Sequence, residues 1–200
     1  MLEIAVQALI VLVIAYLFGS IPFAYLLIRW FRKKDLRQEG SGNIGALNAL
    51  RTGKSKPLAL AVLLGDLIKG WFPTWLLIHN FGFDYLFVTA VATGVLIGHV
   101  APVWLHFRGG RGLAVTAGSL LVIQPILVAI WLILWGVFFL VLRKHIVANV
   151  LATFLLPLIV FFMKDSYFST DILLVILPLC FIIVLKHLER LPELLNHPEN

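Results

Sequence analysis

From Leu113 to Leu142 the chain runs for 30 residues without a charged side chain, interrupted only at Gln124-Pro125. As one helix this run would be about 45 Å long, against a hydrocarbon core of about 30 Å. As two full spans it is too short. Charge decides between these readings. A single crossing would put Arg108 and Arg111 on the opposite side of the bilayer from Arg143 and Lys144, against the tendency of basic residues to stay on the cytoplasmic side. Two crossings keep both clusters inside. The first of them, Leu113–Gln124, is then a short helix of roughly 18 Å, and the loop before it has to lie below the membrane surface. Irregular backbone survives at that depth only when it is buried in protein or lines a cavity. The sequence therefore asks for a pocket at Gly109–Gly112.

The other apolar segments fall into place around this pair. Ile4–Ile28 is uncharged for 25 residues, with Gly19-Ser20-Ile21-Pro22 as an expected bend, and a basic cluster follows at Arg29, Arg32, Lys33, Lys34 and Arg37. Pro57 is placed to open a second helix, running to about Asn80 and carrying Asp66 and Lys69 on one face. These two either mark a functional path or form a structural pair that orients the helix. After a short polar turn at His79–Asp84 come spans at Tyr85–Leu105, Ile146–Met163 and about Tyr167–Leu185. The expectation is an all-α membrane protein of about seven transmembrane helices, with the N-terminus outside, the C-terminus cytoplasmic and a short fourth helix. Residues 1–200 read as a single membrane-integral domain. Fourteen of the 16 Lys and Arg residues then lie in inner segments.

Composition agrees. The chain is 61% hydrophobic and 13% charged, whereas soluble domains are nearer a quarter charged, and its mean hydropathy is +1.00. Topology is the first explanation of the net charge of +6, with anionic substrates or membrane lipids second and no nucleic acid partner expected. Cys180, the one cysteine, allows no intrachain disulfide. Met1-Leu2-Glu3 lacks the basic region of a signal peptide, so the first apolar segment is expected to be a retained span.

Three polar stretches would share the cytoplasmic face, at 40–54, 98–112 and from Lys186 onward. The first is Gly40-Ser41-Gly42-Asn43-Ile44-Gly45-Ala46-Leu47-Asn48-Ala49-Leu50-Arg51-Thr52-Gly53-Lys54. Glycines permit positive φ and close approach of backbone to a ligand, successive N–H groups in such turns form anion-binding concavities, and a guanidinium grips phosphate bidentately. Alone, this stretch could be a polar loop that merely separates two helices. A second such loop, Phe107-Arg108-Gly109-Gly110-Arg111-Gly112, favours a phosphorylated ligand. The chain has no G-x-S-x-G elbow, no P-loop and no H-E-x-x-H, and no Cys/His/Asp cluster with metal-ligand spacing. No metal or cofactor is expected. His79 and Asp84 fit the H-x-x-x-x-D dyad of one class of glycerolipid acyltransferases, but they fall in a short outer turn with no basic residue near.

These motifs resemble those of the bacterial acyl-phosphate-dependent glycerol-3-phosphate acyltransferases, small seven-span enzymes, along the length of the chain. The first motif is similar to Ser41 through Arg51. The second is similar to Gly98-His99-Val100-Ala101-Pro102 continuing to Phe107–Gly112, and the third to Lys186-His187 with Glu189. Asp66, Lys69 and Gly70 match a further pattern in the second helix. The chain departs from the family at Leu47 (usually Thr), Arg111 (usually Lys), Arg190 (usually Asn), Glu193 (usually Arg) and Asn196 or His197 (usually Gly). Arg for Lys is not neutral at a phosphate site, and Arg190 stands where the family contacts substrate.

The resemblance implies acyl transfer from acyl phosphate to the 1-hydroxyl of sn-glycerol 3-phosphate, giving lysophosphatidic acid and phosphate at the cytoplasmic face of the bacterial inner membrane. It implies phosphate-binding or catalytic roles for Ser41, Arg51, Arg111 and His187. Substrate-binding roles fall to Gly42, Asn43, Gly45, Asn48, His99, Arg108, Gly109, Gly110 and Gly112, the glycines shaping two cradles. A histidine near a helix end, as His99 is, serves more often as a structural hydrogen-bonder than as a catalyst. The same buried cations would suit a transporter or channel for a small phosphorylated anion, although the outer turns are short and uncharged or acidic. A non-enzymatic scaffold would not need three inner polar motifs.

Overall fold

The computed structural model of the chain describes residues 1–164 and 166–189. Arg190 and the remainder of the polar tail, with the third-motif positions Glu193, Asn196 and His197, lie outside the described residues. Among the described residues, regular structure is helical apart from one isolated bridge between Lys164 and Phe168. Five segments are long and apolar enough to cross a membrane: Leu2–Arg32, Lys56–Phe81, Tyr85–Leu105, Pro125–Leu142 and His145–Phe162. Two apolar helices, Leu113–Ile123 and Ile172–Leu188, are shorter. These are the seven apolar segments expected from the sequence. Their outward faces carry large side chains such as Ile14, Leu60, Ile133 and Phe181. So extensive an apolar surface is foreign to a soluble monomer and marks a multi-pass membrane protein.

The helices divide into two compact units, Met1–Ile123 and the chain from Gln124 onward. In the first unit, α1 (Leu2–Gly19) breaks before α2 (Phe23–Arg32) at the bend anticipated there. Pro22 has no N–H to continue the helix, and Ser20 Oγ donates back to Tyr16 O at 2.8 Å. α2 runs past Ile28 into the basic cluster. α3 (Ala46–Gly53) lies within the first glycine stretch, half of which is therefore helix and not loop. α4 (Lys56–Phe81) has Pro57 in its first turn, as expected. α5 (Tyr85–Val100) stops five residues short of the predicted span, the remainder being a single 3₁₀ turn, Val103–Leu105. α6 (Leu113–Ile123) has 11 residues, about 17 Å at 1.5 Å per residue. The short fourth apolar helix is present.

Small residues bring these helices together, as is usual where lipid offers no hydrophobic drive between spans. A Cβ at Gly94 or Gly98 of α5 would run into the α1 carbonyls of Leu12 or Tyr16. Gly70 of α4 and Gly118 of α6 are equally constrained by each other's helix. Thr74 Oγ1 donates to Gly70 O at 2.8 Å, and Ser119 Oγ of α6 donates to the same carbonyl at 3.2 Å.

The second unit holds α7 (Pro125–Leu142), α8 (His145–Phe162) and α9 (Ile172–Leu188). Gln124, at φ −159°, ends the helical run between α6 and α7 where the sequence marks it. α7 buries only Leu127. Trp131 Nε1 donates to Thr153 Oγ1 of α8 at 2.9 Å. α9 begins at Ile172 and continues to Leu188, so Lys186 and His187 stand on its last turn and not in a polar tail.

Candidate active site

The first glycine stretch is a folded unit organised by Asn48. This side chain, on the first turn of α3, is 1% exposed. Its Nδ2 donates to the carbonyls of Leu36 (3.2 Å), Glu39 (3.0 Å) and Asn43 (2.9 Å), and its Oδ1 accepts from Ser41 N at 3.0 Å. The turn wraps tightly enough that Gly42 adopts φ +67° and Gly40 φ +56°, a region that costs a side-chain-bearing residue about 1 kcal/mol or more. Leu36, Ile44 and Ala49 anchor the stretch in a buried cluster with Ala24, Ile28, Val62 and Leu105. Asp35 accepts from Arg37 Nε at 3.0 Å and Nη2 at 2.7 Å. These hydrogen bonds hold the Asp35 carboxyl below its usual range and raise the guanidinium pKa. Gly45, with extended φ, is the N-cap of α3, and Arg51 stands exposed on its last turn.

The second loop is built against the end of α5. His106 and Phe107 take positive φ (53° and 60°), and Gly110 N donates to His99 O at 3.0 Å. A Cβ on Gly109 would meet His99 O and Pro102, and one on Gly110 would overlap the His99 ring. Gly112, at φ +86°, leads into α6, whose first intrahelical bond runs from Thr116 N to Gly112 O at 2.8 Å. Arg108 is exposed and Arg111 half-buried. Tyr16 OH donates to Ala101 O at 3.1 Å, tying the loop's start to α1.

The two loops converge. Ile44 of the first packs with Leu105, and Ile44 and Gly110 both line a cavity of about 10 Å³ beside Ser20, Asp66, Lys69 and His99. That volume holds about one water molecule. Of the residues singled out in the sequence, Ser41, Asn43 and Asn48 meet in the first loop, whereas His99, Gly109 and Gly110 meet in the second. His187 belongs to the second unit and is fully buried there. Its Nδ1 lies 2.8 Å from Ile183 O, which can only accept, so Nδ1 carries the proton. In the neutral ring Nε2 is then the acceptor, facing Asn149 Nδ2 at 3.3 Å. Sequence reasoning did not include Asn149. Its spacing from His187 crosses two helices, and its one signal was a polar residue inside an apolar span.

The H-x-x-x-x-D pair has structural duties instead. Asp84 Oδ1 caps α5 by accepting from Leu86 N (2.8 Å) and Phe87 N (3.2 Å), and His79 stacks on Trp75 with ring centroids 4.9 Å apart.

Known proteins share this architecture. Residues 9–197 match the family model described as glycerol-3-phosphate acyltransferase. A protein of that name from Pelagibacter ubique (strain HTCC1062) is 42% identical over 164 residues, covering 81% of this chain and 84% of the relative. One from Ehrlichia canis (strain Jake) is 35% identical over 190 residues, covering 95% and 96%. The crystal structure of PlsY (YgiH), an integral membrane glycerol 3-phosphate acyltransferase in its glycerol 3-phosphate form, matches with a TM-score of 0.82 at 29% identity, covering 97% of this chain and 94% of that one. Its lysophosphatidic acid form matches at 0.79. Sequence and backbone agree along nearly the full length, and the chain belongs to the glycerol-3-phosphate acyltransferase family.

Proposed function

We propose that this acyltransferase moves an acyl group from acyl phosphate to the 1-hydroxyl of sn-glycerol 3-phosphate, giving lysophosphatidic acid and inorganic phosphate. One observation carries the reading. Two glycine turns lead directly into helix N-termini, Gly45 into α3 and Gly112 into α6, with Arg111 beside the second turn and Arg51 on the last turn of α3. Unpaired N–H groups and the helix dipole make such ends favourable to phosphate. Two phosphorylated substrates need two phosphate sites. Relatives named for glycerol 3-phosphate, and a neighbour in glycerol 3-phosphate and lysophosphatidic acid forms, support the acceptor and product.

The chemistry asks little of the protein beyond placement. An acyl phosphate is a mixed anhydride, so the acceptor hydroxyl oxygen attacks its carbonyl carbon and the bond from that carbon to the phosphate oxygen breaks. The hydroxyl proton leaves on the departing phosphate, as the family resemblance implies. Positioning and charge stabilisation then supply most of the acceleration. Ser41, Arg51 and Arg111 are assigned to hold phosphate oxygens and stabilise developing charge, whereas His187, with its ring nitrogens turned to Ile183 O and Asn149 Nδ2, is assigned to order the last turn of α9. Gly42, Asn43, Gly45, Arg108, Gly109, Gly110 and Gly112 form the cradles, with Asn48 and His99 setting their shape. The basic residues flanking the spans support a cytoplasmic position for these loops at a bacterial inner membrane.

Purified protein given radiolabelled glycerol 3-phosphate and palmitoyl phosphate, in EDTA, tests this. Label should move into lysophosphatidic acid, and palmitoyl-CoA should not replace the donor. Robust turnover with palmitoyl-CoA, or label that accumulates in vesicles with no lipid product, contradicts the assignment.

A further inference from the structure

Three buried polar side chains join the break in the first span to the second glycine loop. Lys69 Nζ, on α4 and 2% exposed, donates at 2.6 Å to Ile21 O, the peptide between α1 and α2. It also stands 5.4 Å over the Phe23 ring. Asp66 Oδ1 lies 3.6 Å from Lys69 Nζ and 3.5 Å from His99 Nδ1. On its other side the His99 ring fills the space that a Gly110 Cβ would need, and the His99 carbonyl accepts the Gly110 N–H at 3.0 Å. Ionisable groups are costly inside a membrane protein, and a pair that only set the tilt of α4 would not need a histidine as its third member. Here both ends of the series rest on irregular backbone, Ile21 at one and Gly110 at the other.

We propose that Asp66, Lys69 and His99 are positioning residues for acyl transfer. They fix the Gly109–Gly112 loop, and with it Arg111, against the helix break at Gly19–Pro22. Gly110 is glycine because the His99 ring occupies its side-chain space, not because substrate must approach it there. This rests on the reading of the second loop as a phosphate cradle, and it changes how His99 takes part: it acts through the loop and need not touch substrate.

A double-mutant cycle on kcat/KM for glycerol 3-phosphate tests the inference, with hydrogen exchange of the segment 106–113 as a readout independent of activity. Gly110→Ala alone should lower kcat/KM by at least about tenfold, because the new methyl must displace the ring or the loop. In a His99→Ala background the methyl has room, and the same change should cost less than about threefold, within the coupling known for contacting residues. Asp66→Asn and His99→Ala should each speed exchange in 106–113, with the α7–α9 segments unchanged, and His99→Gln should restore part of the protection. Equal losses from Gly110→Ala in both backgrounds, or unaltered exchange in 106–113, would overturn the positioning role. If the His99→Ala protein does not fold, the exchange comparison between Asp66→Asn and His99→Gln decides in its place. Loss of the cradle reading itself looks different: Gly110→Ala and Arg111→Ala would both keep near-normal kcat/KM while exchange still responded to Asp66 and His99.

Discussion

Asn48→Ala should disable the first loop without unfolding the protein. The substitution strands the carbonyls of Leu36, Glu39 and Asn43 and the Ser41 N–H, all of which the carboxamide serves in the native loop. Two Nδ2 hydrogens are shared among three carbonyls, so these contacts count as about three hydrogen bonds, at about 0.5–1.5 kcal/mol net each. Because Glu39, Ser41 and Asn43 are only partly buried, water can replace some of the loss, and a figure of about 2 kcal/mol is appropriate. That is roughly a 30-fold shift between ordered and disordered loop. The apolar anchors Leu36, Ile44 and Ala49 remain in their cluster, so the helices should stay assembled. The assay is kcat/KM for glycerol 3-phosphate beside hydrogen exchange over residues 36–45. The expected result is a fall of about 10- to 30-fold with faster exchange confined to that segment. Asn48→Asp should be worse than alanine, since it turns oxygen lone pairs toward the three carbonyls. Wild-type kinetics and unchanged exchange in Asn48→Ala would refute the reasoning.

Other tests address topology and the outer turn. Single cysteines at positions near Lys33, Arg108 and Lys144 should be labelled only from the cytoplasmic side, and labelling near Arg108 and Lys144 from opposite sides would remove the argument for two crossings between them. His79→Ala and Asp84→Ala should keep activity within a few-fold. Asp84→Ala should nonetheless lower thermal stability, because an N-cap of this kind is worth about 0.5–2 kcal/mol. A large loss of turnover in folded His79→Ala or Asp84→Ala protein would revive the H-x-x-x-x-D dyad.

Some features were legible from residue order alone, because each was set by a short-range rule. The break at Gly19–Pro22 follows from proline's missing donor, and the 11-residue α6 from charge placement on either side of Leu113–Leu142. Both glycine motifs were visible for the same reason. α3 was not, because the glycines at 40, 42, 45 and 53 make the stretch read as loop, and an eight-residue helix has little stability alone. It forms because Asn48 and Ala49 are buried among tertiary partners. The start of α9 was placed too early: Ile172 N bonds to Ser169 O, making a turn of residues that the hydropathy pattern had absorbed into the span. The approach of His99 to Asp66 and Gly110 leaves no periodic trace, since it depends on how α4 and α5 pack.

Whether the two arginines act on phosphate is measured most directly by kcat/KM for glycerol 3-phosphate in Arg51→Ala and Arg111→Ala. Arg51 is exposed on α3, so its removal leaves the packing intact, and monodisperse, folded protein is the control for half-buried Arg111. Charge-assisted hydrogen bonds are worth about 1.5–3 kcal/mol each, so losing a bidentate grip predicts a fall of roughly 10²-fold or more in each variant. Arg111→Lys should retain much of the activity and Arg51→Lys should not, if Arg51 uses its planar fork. Near-normal kcat/KM in both alanine variants would mean that these loops only separate helices, contradicting the acyl-transfer site described here.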